Sequence, residues 1–401
     1  MNKMRKKIIK IHDFEDRLKR KIRRHLKSLG YVIDNNKLIP PQLTKESIRL
    51  LHSKQRQEKI DSKKSFFKRL KPQIYNYFAN GSEIVPNKIK PKLELVKPST
   101  VESDLFNLAT MVWSIPVSES GPCRSMRFLV WDEYNNKLMG ILAIKDPAIG
   151  LKARDDFIGW DRETKFEKLI NVMDSYIVGA IPPYNQLLCG KLVACLLKSI
   201  EIKDLFNFRY KNSVGLISKK RKNPKLVLIT TSSALGRSSI YNRLNIGQRK
   251  FMTPVAYTEG WGHFHFSKDI LKDFDQLLKR KKHKYYKGYK MGDGSNFKFR
   301  KIRVSLDYLN LSKNLLRHTI KREFFFTPLA TNYLDILNKR AKRPDYSLLQ
   351  SVDEVSEMAL DRWVLQRAST DSSYKKWKNT RIKEIIFDQK NYQKLPSFKN
   401  I

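Results

Sequence analysis

A turn rich in hydroxyl groups, Thr230 to Ser239, carries residue types that hold anions. Its sequence, TTSSALGRSS, supplies hydroxyls, a flexible glycine and a guanidinium, and the candidate binding residues are Ser233, Gly236, Arg237 and Ser238. A guanidinium suits the geometry of a phosphate or carboxylate, and a helix that begins here would add backbone N–H donors. The structural alternative is a serine that only caps the helix.

Tyr241 follows this turn on a predicted short helix, Ser238 to Leu244. A phenol that faces the same cleft as the anion site can act as a general acid, so Tyr241 is a candidate catalytic residue. The alternative is a tyrosine at an amphipathic position that packs in the core with its hydroxyl group hydrogen-bonded.

Two histidines and an aspartate are further candidate catalytic residues. His263 and His265 are two apart on a predicted strand, His263 to Phe266, so both imidazoles would point to one face. They could bind a metal or share general-base work, but two ligands alone do not make a metal site, so no metal site is assigned. The alternative is two histidines in an aromatic strand. Asp155 is a candidate base whose alternative role is to pair with Arg154.

The chain carries far more positive charge than an ordinary enzyme of its size. Its 401 residues include 81 Lys and Arg against 39 Asp and Glu, a formal net charge of +42. Such a charge repels itself in the folded state, and phosphate contacts with counterion release convert that cost into affinity. The sequence therefore predicts DNA or RNA as a partner.

Two basic runs are the candidate nucleic-acid contacts. In the run from Leu277 to Lys290, tyrosines alternate with lysines, so that rings could stack on bases while lysines neutralise phosphates. The predicted contacts in both runs are Lys219, Lys220, Arg221, Lys222, Arg280, Lys281, Lys282, Lys284, Tyr285 and Tyr286. The alternative is that these charge runs are solvated loops.

Composition also bounds the location of the protein. A hydrophobic fraction of 41% allows a sizeable core, unlike that of a disordered polycation. Because no apolar run of about 18 residues, lipidation motif or secretory signal stands out, a cytoplasmic protein without a membrane partner is expected. Cys123, Cys189 and Cys195 lack the spacing of zinc ligands and are expected to be reduced thiols.

The elements that must position these residues divide the chain into three expected regions. Residues 1–98 form a basic helical region, with apolar residues at helical spacing from Phe14 to Leu29 and a Pro-punctuated linker from Asn80 to Pro98. Residues 99–270 form an α/β core. Residues 271–401 form a basic, partly helical region that includes a helical period from Val352 to Arg367.

Within the core, the patterns predict an antiparallel hairpin followed by two units in which a strand leads into a helix. The hairpin joins Met126–Asp132 to Lys137–Lys145. The predicted units are Ser175–Ile181 with Leu187–Ile200, and Leu226–Thr231 with Ser238–Leu244, before a strand at Phe251–Thr258. The expected fold is therefore a mixed α/β sheet flanked by helices.

Several blocks in the core resemble the DruA family of Druantia anti-phage defence systems. They lie between Arg127 and Phe266 and read RFLVWDEYNNKLMGILAIKDP, RDDFIGW, GAIPPYNQLLCGKLVACLLKS, TTSSALGRSSIYNRL and YTEGWGHFHF. The resemblance implies a role in defence against phage or other mobile DNA, with other defence-system subunits as partners. It supplies no mechanism.

The order of elements resembles the Gcn5-related N-acetyltransferase layout, and SSALGRSSIYNRL is similar to a segment of Mom-type DNA-modifying enzymes. In that layout, the turn after the fourth strand binds the pyrophosphate of acyl-coenzyme A, which would make Gly190 and Lys191 cofactor-binding residues. The sequence departs from the usual pattern, because Leu187 replaces Arg or Gln and Leu192 replaces a small residue. The alternative is a glycine that only permits a tight helix start.

Two functions follow from these observations. One is a nucleic-acid-binding defence protein whose acetyltransferase-like core modifies nucleic acid or an associated protein. The alternative is a DNA- or RNA-binding subunit of a defence or mobile-element complex, without catalysis. The incomplete pyrophosphate turn favours the binding subunit, and the hydroxyl-rich turn favours the enzyme.

Overall fold

The computed structural model describes residues 2–35, 37–117, 123–214, 223–287 and 295–387. The chain forms two units, each assembled from three separate stretches. Unit 1 comprises Met1–Ser62, Ser114–Cys123 and Thr258–Arg322, and unit 2 comprises Lys63–Trp113, Arg124–Tyr257 and Glu323–Ile401. The three regions expected from the sequence were divided by composition and charge, whereas these two units are divided by contacts. The three-region division stays a prediction.

Unit 1 is mainly helical. Its elements are α1 (Asn2–Ser28), β1 (Val32–Asp34), β2 (Lys37–Ile39), α2 (Lys45–Asp61), α9 (Lys268–Arg280) and α10 (Ser295–Tyr308). Leu18, Ile22 and Leu26 of α1 are buried on one side of the helix. Their spacing confirms the amphipathic basic helix that the sequence predicts.

Unit 2 contains a large mixed sheet with helices on its faces. Its helices are α3 (Lys64–Arg69), α4 (Val101–Ala109), α5 (Lys152–Ile158), α6 (Arg162–Lys168), α7 (Cys189–Cys195), α8 (Ile200–Tyr210), α11 (Tyr333–Leu337), α12 (Val352–Ala359), α13 (Gln366–Thr370) and α14 (Arg381–Phe387). Its strands are β3 (Pro91–Leu95), β4 (Ser125–Asp132), β5 (Lys137–Lys145), β6 (Val172–Ala180), β7 (Leu228–Ser232), β8 (Asn245–Ile246), β9 (Arg249–Lys250), β10 (Thr253–Tyr257) and β11 (Glu323–Pro328).

The large sheet has, within the described residues, seven strands in the order β3-β4-β5-β6-β7-β11-β10. Neighbouring strands in this sheet are antiparallel except β6 and β7, which are parallel. The predicted hairpin is confirmed as β4 and β5, and the mixed α/β sheet flanked by helices is confirmed as the fold class. The segment Asn80–Pro98 is not only a linker, because it contributes β3 to the sheet edge.

Side chains alternate between the two faces of this sheet. On β11, Phe325 belongs to the core that contains α7 and α12, whereas Phe324 and Phe326 belong to the core on the other face. β11 lies in the region 271–401, which the sequence predicts to be basic and partly helical. Because both faces of a central strand are buried, apolar residues occupy consecutive positions. The three phenylalanines therefore show no alternation of apolar and polar residues in the sequence.

Two predicted elements are wrong, and one differs in form. Residues 263–266 form a turn rather than a strand, so His263 and His265 do not share a strand face. Ser238–Leu244 is not an α-helix, because only Tyr241–Arg243 forms a single 3-10 turn. The helix predicted from Leu187 to Ile200 is α7, followed by a 3-10 turn and then α8.

Among the helices that the structure describes, none combines the length and apolar character needed to cross a bilayer.

Candidate functional site

The two parallel strands of the large sheet separate at Ser175 and Thr231. Their pairing runs from Val172 to Ser175 on β6, after which β6 continues to Ala180. A β-bulge accompanies the separation, because consecutive residues of β5 pair with Ser175 and Ile177. Ser175 and Thr231 are 3% and 1% exposed, and neither hydroxyl has a hydrogen-bond partner within the described residues. The buried hydroxyls of Ser199, Ser305, Thr327 and Ser356 also have no partner within the described residues, so the separation of the strands is what marks this position.

The hydroxyl-rich turn, Thr230 to Ser239, already binds a carboxylate of the same chain. Oε2 of Glu323, at the start of β11, accepts the backbone N–H of Ser238 at 2.9 Å and a side-chain N–H of Asn242 at 2.7 Å. The Ser233 hydroxyl donates to the carbonyl of Gly236. The candidate residues therefore lie together, but the Ser233 hydroxyl and the Ser238 backbone N–H are used by the fold. Arg237 is exposed.

Tyr241 lies on the sheet face that carries the Thr231 hydroxyl. Its ring meets the ring of Phe325 edge-on, with centroids 5.4 Å apart, and Phe325 pairs with Thr231 across β11 and β7. Burial raises the pKa of Tyr241 to about 12, so the phenol is protonated at neutral pH. A protonated phenol is the form that a general acid requires.

Lys191 lies near two other cations at the start of α7. Its ammonium is 5.0 Å from the ring centre of Trp363, and its pKa is lowered by burial and then by Arg243 and Arg362. Within the described residues, none of the three cations forms an ion pair. A cluster of this kind suits a ligand with phosphate groups.

Gly190 is not required by the backbone or by a close approach. A Cβ atom at this position would meet only the backbone nitrogen of Ala180, at 3.9 Å. The left-handed residue before α7 is Leu188, with φ of 60°. The seven residues of α7 are too few to give a strong N-terminal dipole. Phosphate binding at this turn would therefore depend on side-chain cations.

Asp155 forms structural ion pairs on the opposite face of the sheet. Its carboxylate lies 2.6 Å from Arg154 Nη2 and 3.0 Å from Lys165 Nζ. Arg154 is fully buried and also donates to the carbonyls of Ala148 and Ile149. These contacts correspond to the structural alternative for Asp155. They leave no free carboxylate oxygen for a base, since each oxygen already has a cation.

Asp174 was not predicted as a site residue. It lies in β6, where its carboxylate accepts the hydroxyl of Thr230 at 2.9 Å, and burial raises its pKa. An aspartate inside the apolar run VMDSYIVGA was the available sequence signal. Glu323 gave a similar signal, because it precedes three phenylalanines.

His263 and His265 belong to a group of histidines in unit 1. Nε2 of His265 lies 2.7 Å from the carbonyl oxygen of Leu315, and Nε2 of His25 lies 2.9 Å from the carbonyl oxygen of His265. His52 stacks on Phe264, with centroids 4.1 Å apart. Within the described residues, no group of three or more His, Cys, Asp or Glu has an arrangement suited to a metal ion.

Burial keeps these histidines neutral. It lowers the pKa of His52, His263 and His265 to about 4 and that of His318 to about 2. A base with a pKa near 4 is a weak proton acceptor at neutral pH. The geometry therefore favours binding or packing for His263 and His265 over general-base work.

The basic runs are only partly free to bind phosphate. Lys219, Lys220, Arg221 and Lys222 lie outside the described residues. Arg280 lies 4.1 Å above the ring of Phe14, and Lys281 pairs with the buried Glu15 at 2.7 Å. Tyr285 packs edge-on against Phe297. All the predicted contacts in this run are exposed except Tyr285, which is partly buried.

The sequence predicts a basic amphipathic helix here, either solvated or in contact with phosphate, but did not single out individual residues. The structure shows a basic stripe on α1 that consists of Arg20, Arg23, Arg24 and Lys27, all exposed on one face of the helix. Within the described residues, none of these four forms an ion pair, whereas Arg17, Lys19 and Lys21 pair with aspartates. The signal was present in the sequence, since these four positions lie opposite Leu18, Ile22 and Leu26.

Comparison with known proteins identifies the family. The family described as Druantia protein DruA matches residues 42–339. A Druantia protein DruA from Escherichia coli strain UMEA 4076-1 is 43% identical over 380 residues, which cover 94% of this chain and 94% of that protein. No solved structure matches the chain. The resemblance found in the core blocks thus extends over most of the sequence, and the chain belongs to the DruA family.

Proposed function

We propose that this chain is a nucleic-acid-binding protein of Druantia anti-phage defence. The observation that carries the proposal is the basic stripe of α1, in which four exposed cations have no ion pair within the described residues. Cations at such spacing on one helix face can follow a line of phosphates. Membership in the DruA family supports the defence role.

The charge of unit 1 supports the same proposal. Its residues include 35 Lys and Arg against 14 Asp and Glu, a formal charge of +21. A unit of 137 residues that carries this charge is destabilised by its own repulsion. A polyanion relieves that repulsion, which is why the charge favours a nucleic-acid partner over a neutral one.

A salt titration with DNA and RNA oligonucleotides tests the proposal. Binding measured by fluorescence anisotropy should weaken by orders of magnitude between about 50 and 200 mM salt if roughly 6–10 phosphates are contacted. A flat titration, or no binding to either nucleic acid at low salt, would remove the proposal.

The second candidate function is transfer of an acyl group from acyl-coenzyme A to nucleic acid or an associated protein. It is favoured by the separation of β6 and β7 at two unpartnered hydroxyls, close to Tyr241. The cations Lys191, Arg243 and Arg362 would hold phosphate groups of the donor. The bond between the acyl carbon and sulfur would break as the nucleophile bonds to that carbon. Protonated Tyr241 would donate a proton to the leaving thiolate, and the tyrosinate would regain a proton from the nucleophile.

Mass spectrometry tests this second function. The purified protein would be incubated with acetyl-coenzyme A and oligonucleotide, and the products searched for acetylated nucleosides and for acetylated protein. Tyr241→Phe should abolish product formation while leaving oligonucleotide affinity unchanged. If the wild-type protein forms no acetylated product and retains no coenzyme, the acyl-transfer function is ruled out and only the binding function remains.

A further inference from the structure

Unit 1 contains a cavity of about 140 Å³ whose walls combine aromatic rings, hydrogen-bonding groups and lysines. We propose that this cavity receives one unpaired nucleobase of a bound single strand. The proposal rests on the nucleic-acid binding proposed above and names the form of nucleic acid that is bound. The cavity lies apart from the basic stripe of α1, none of whose residues lines it.

One hydrogen-bond acceptor in the wall has no partner in the described structure. His265 is 1% exposed, and its Nε2 lies 2.7 Å from the carbonyl oxygen of Leu315, so Nε2 must carry the proton. Nδ1 is then an acceptor, and it forms no hydrogen bond within the described residues. Nδ1 has almost no accessible surface, so a donor in the cavity would bind it only after a shift of the wall, and would then recover the cost of leaving it unsatisfied.

A hydrogen-bond donor in the wall comes from Gln55. The Gln55 side-chain oxygen lies 3.0 Å from Nδ1 of His52, so this oxygen accepts and the amide N–H groups remain as donors. An acceptor on His265 and a donor on Gln55 complement the adjacent donor and acceptor that each nucleobase edge presents. This arrangement distinguishes a base from an aliphatic group but does not choose among the four bases.

Aromatic side chains form much of the remaining wall. His25, His263, Phe264 and Phe266 line the cavity, and Phe264 is held from behind by its stack on His52. The volume is below the roughly 300 Å³ at which pockets for whole small-molecule ligands begin, so it suits a single ring system. Aromatic walls favour a flat ring, because every base presents a π-face.

Lysines supply the charge for the sugar–phosphate chain. Lys54, Lys268 and Lys298 all line the cavity and are exposed. Lys268 also donates to the backbone carbonyl oxygen of Glu58, another residue of the same wall. A base in the cavity would leave its phosphates outside, beside these three ammonium groups, as single-strand binding requires.

Oligonucleotides of equal charge test the proposal. A single strand of normal nucleotides is compared with a strand of the same length in which every base is replaced by an abasic sugar. The base-bearing strand should bind roughly tenfold more tightly, since stacking of one base changes affinity by about five- to 150-fold. Equal affinity would mean that the cavity holds water only and would overturn the inference. No binding of either strand would instead remove the proposed nucleic-acid function.

Two matched variants locate the effect. Leu271 lines the cavity, whereas Leu50 is an exposed leucine on α2 that does not. Leu271→Phe should narrow the cavity enough to exclude a flat ring and abolish the advantage of the base-bearing strand, while Leu50→Phe should keep it. Abasic-strand affinity should be unchanged in both variants.

A fluorescent base and a milder variant complete the test. A strand containing 2-aminopurine should lose fluorescence on binding wild-type protein and not on binding Leu271→Phe. If Leu271→Phe fails to fold by thermal denaturation, Gln55→Met, which removes the donor at similar volume, should lower the base advantage. If a folded variant at either position keeps the full difference in affinity between the base-bearing and abasic strands, the base does not bind in this cavity.

Discussion

The two units of this protein differ in how they use charge. Unit 1 holds 137 of the 401 residues but half of the net charge, and all seven histidines lie in it. Unit 2 has a formal charge of +21 spread over 264 residues and contains no histidine. The difference favours unit 1 as the place of the proposed nucleic-acid contacts, while unit 2 provides the large sheet.

The buried polar groups of the two units also differ. Unit 1 buries neutral imidazoles, among them His52, His265 and His318. Unit 2 buries a carboxylate, Glu323, that accepts two hydrogen bonds. A buried neutral base destabilises the fold when it must take up a proton, so the two units should respond differently to acid.

The largest expected effect is acid destabilisation of unit 1. Three histidines have a pKa of about 4 in the folded protein, against about 6.5 when unfolded. As the pH falls below 6.5 the unfolded chain binds protons that the folded chain does not. Stability is therefore lost between about pH 6.5 and 4, by about 3 kcal/mol for each histidine as an upper figure.

Hydrogen exchange across this pH range measures the effect. Peptides from α9 should lose protection as the pH falls from 6.5 to 4, while peptides from β6 should change less. His52→Gln should shift the loss of protection in α9 toward lower pH. His283→Gln, which lies outside the buried histidine group, serves as the control. Equal acid sensitivity of α9 and β6 would contradict the contrast between the units.

The next effect is loss of affinity when the basic stripe is neutralised. Replacing Arg20, Arg23, Arg24 and Lys27 by Gln should weaken oligonucleotide binding and reduce the slope of log affinity against log salt by about four, one for each lost phosphate contact. The control neutralises four cations of unit 2 that pair with carboxylates, namely Lys92, Lys152, Lys203 and Arg340. An equal loss in both variants would show that only total charge matters.

The sequence predicted local elements well and long-range pairings poorly. The hairpin of β4 and β5 and the helix α1 were predicted, because each is set by a periodic pattern in one continuous segment. The insertion of β11 between β7 and β10 was missed, because these strands are far apart in the chain. β3 was taken for part of a linker, since Pro91 and its polar neighbours hide a short edge strand.

The candidate site shows the same limit. Ser233, Gly236 and Ser238 were placed together because they are neighbours in the sequence, but their carboxylate partner comes from Glu323, about 85 residues away. The histidine group likewise joins His52 to His265 and His318. Spacing within one segment could not reveal either set of contacts, because both depend on tertiary packing.

A smaller effect is expected when the internal carboxylate of unit 2 is removed. Glu323→Ala would leave the backbone N–H of Ser238 and the amide of Asn242 without their acceptor, at a cost of about 2–4 kcal/mol in the free energy of unfolding. Denaturant unfolding measures this change, and Glu354→Ala, which removes a capping carboxylate on the surface, is the control. A loss no greater than that of the control would show that the turn does not depend on Glu323.

The smallest effect on stability is expected at the exposed residue of the same turn. Arg237→Ala should change the free energy of unfolding by less than about 0.5 kcal/mol, because Arg237 is exposed and forms no ion pair within the described residues. If the turn also contacts a phosphate or a cofactor, this folded variant should lose phage protection in cells. Unchanged protection would limit the turn to its structural role around Glu323, and the chemistry of unit 2 would then rest on Tyr241 and the cations beside Lys191.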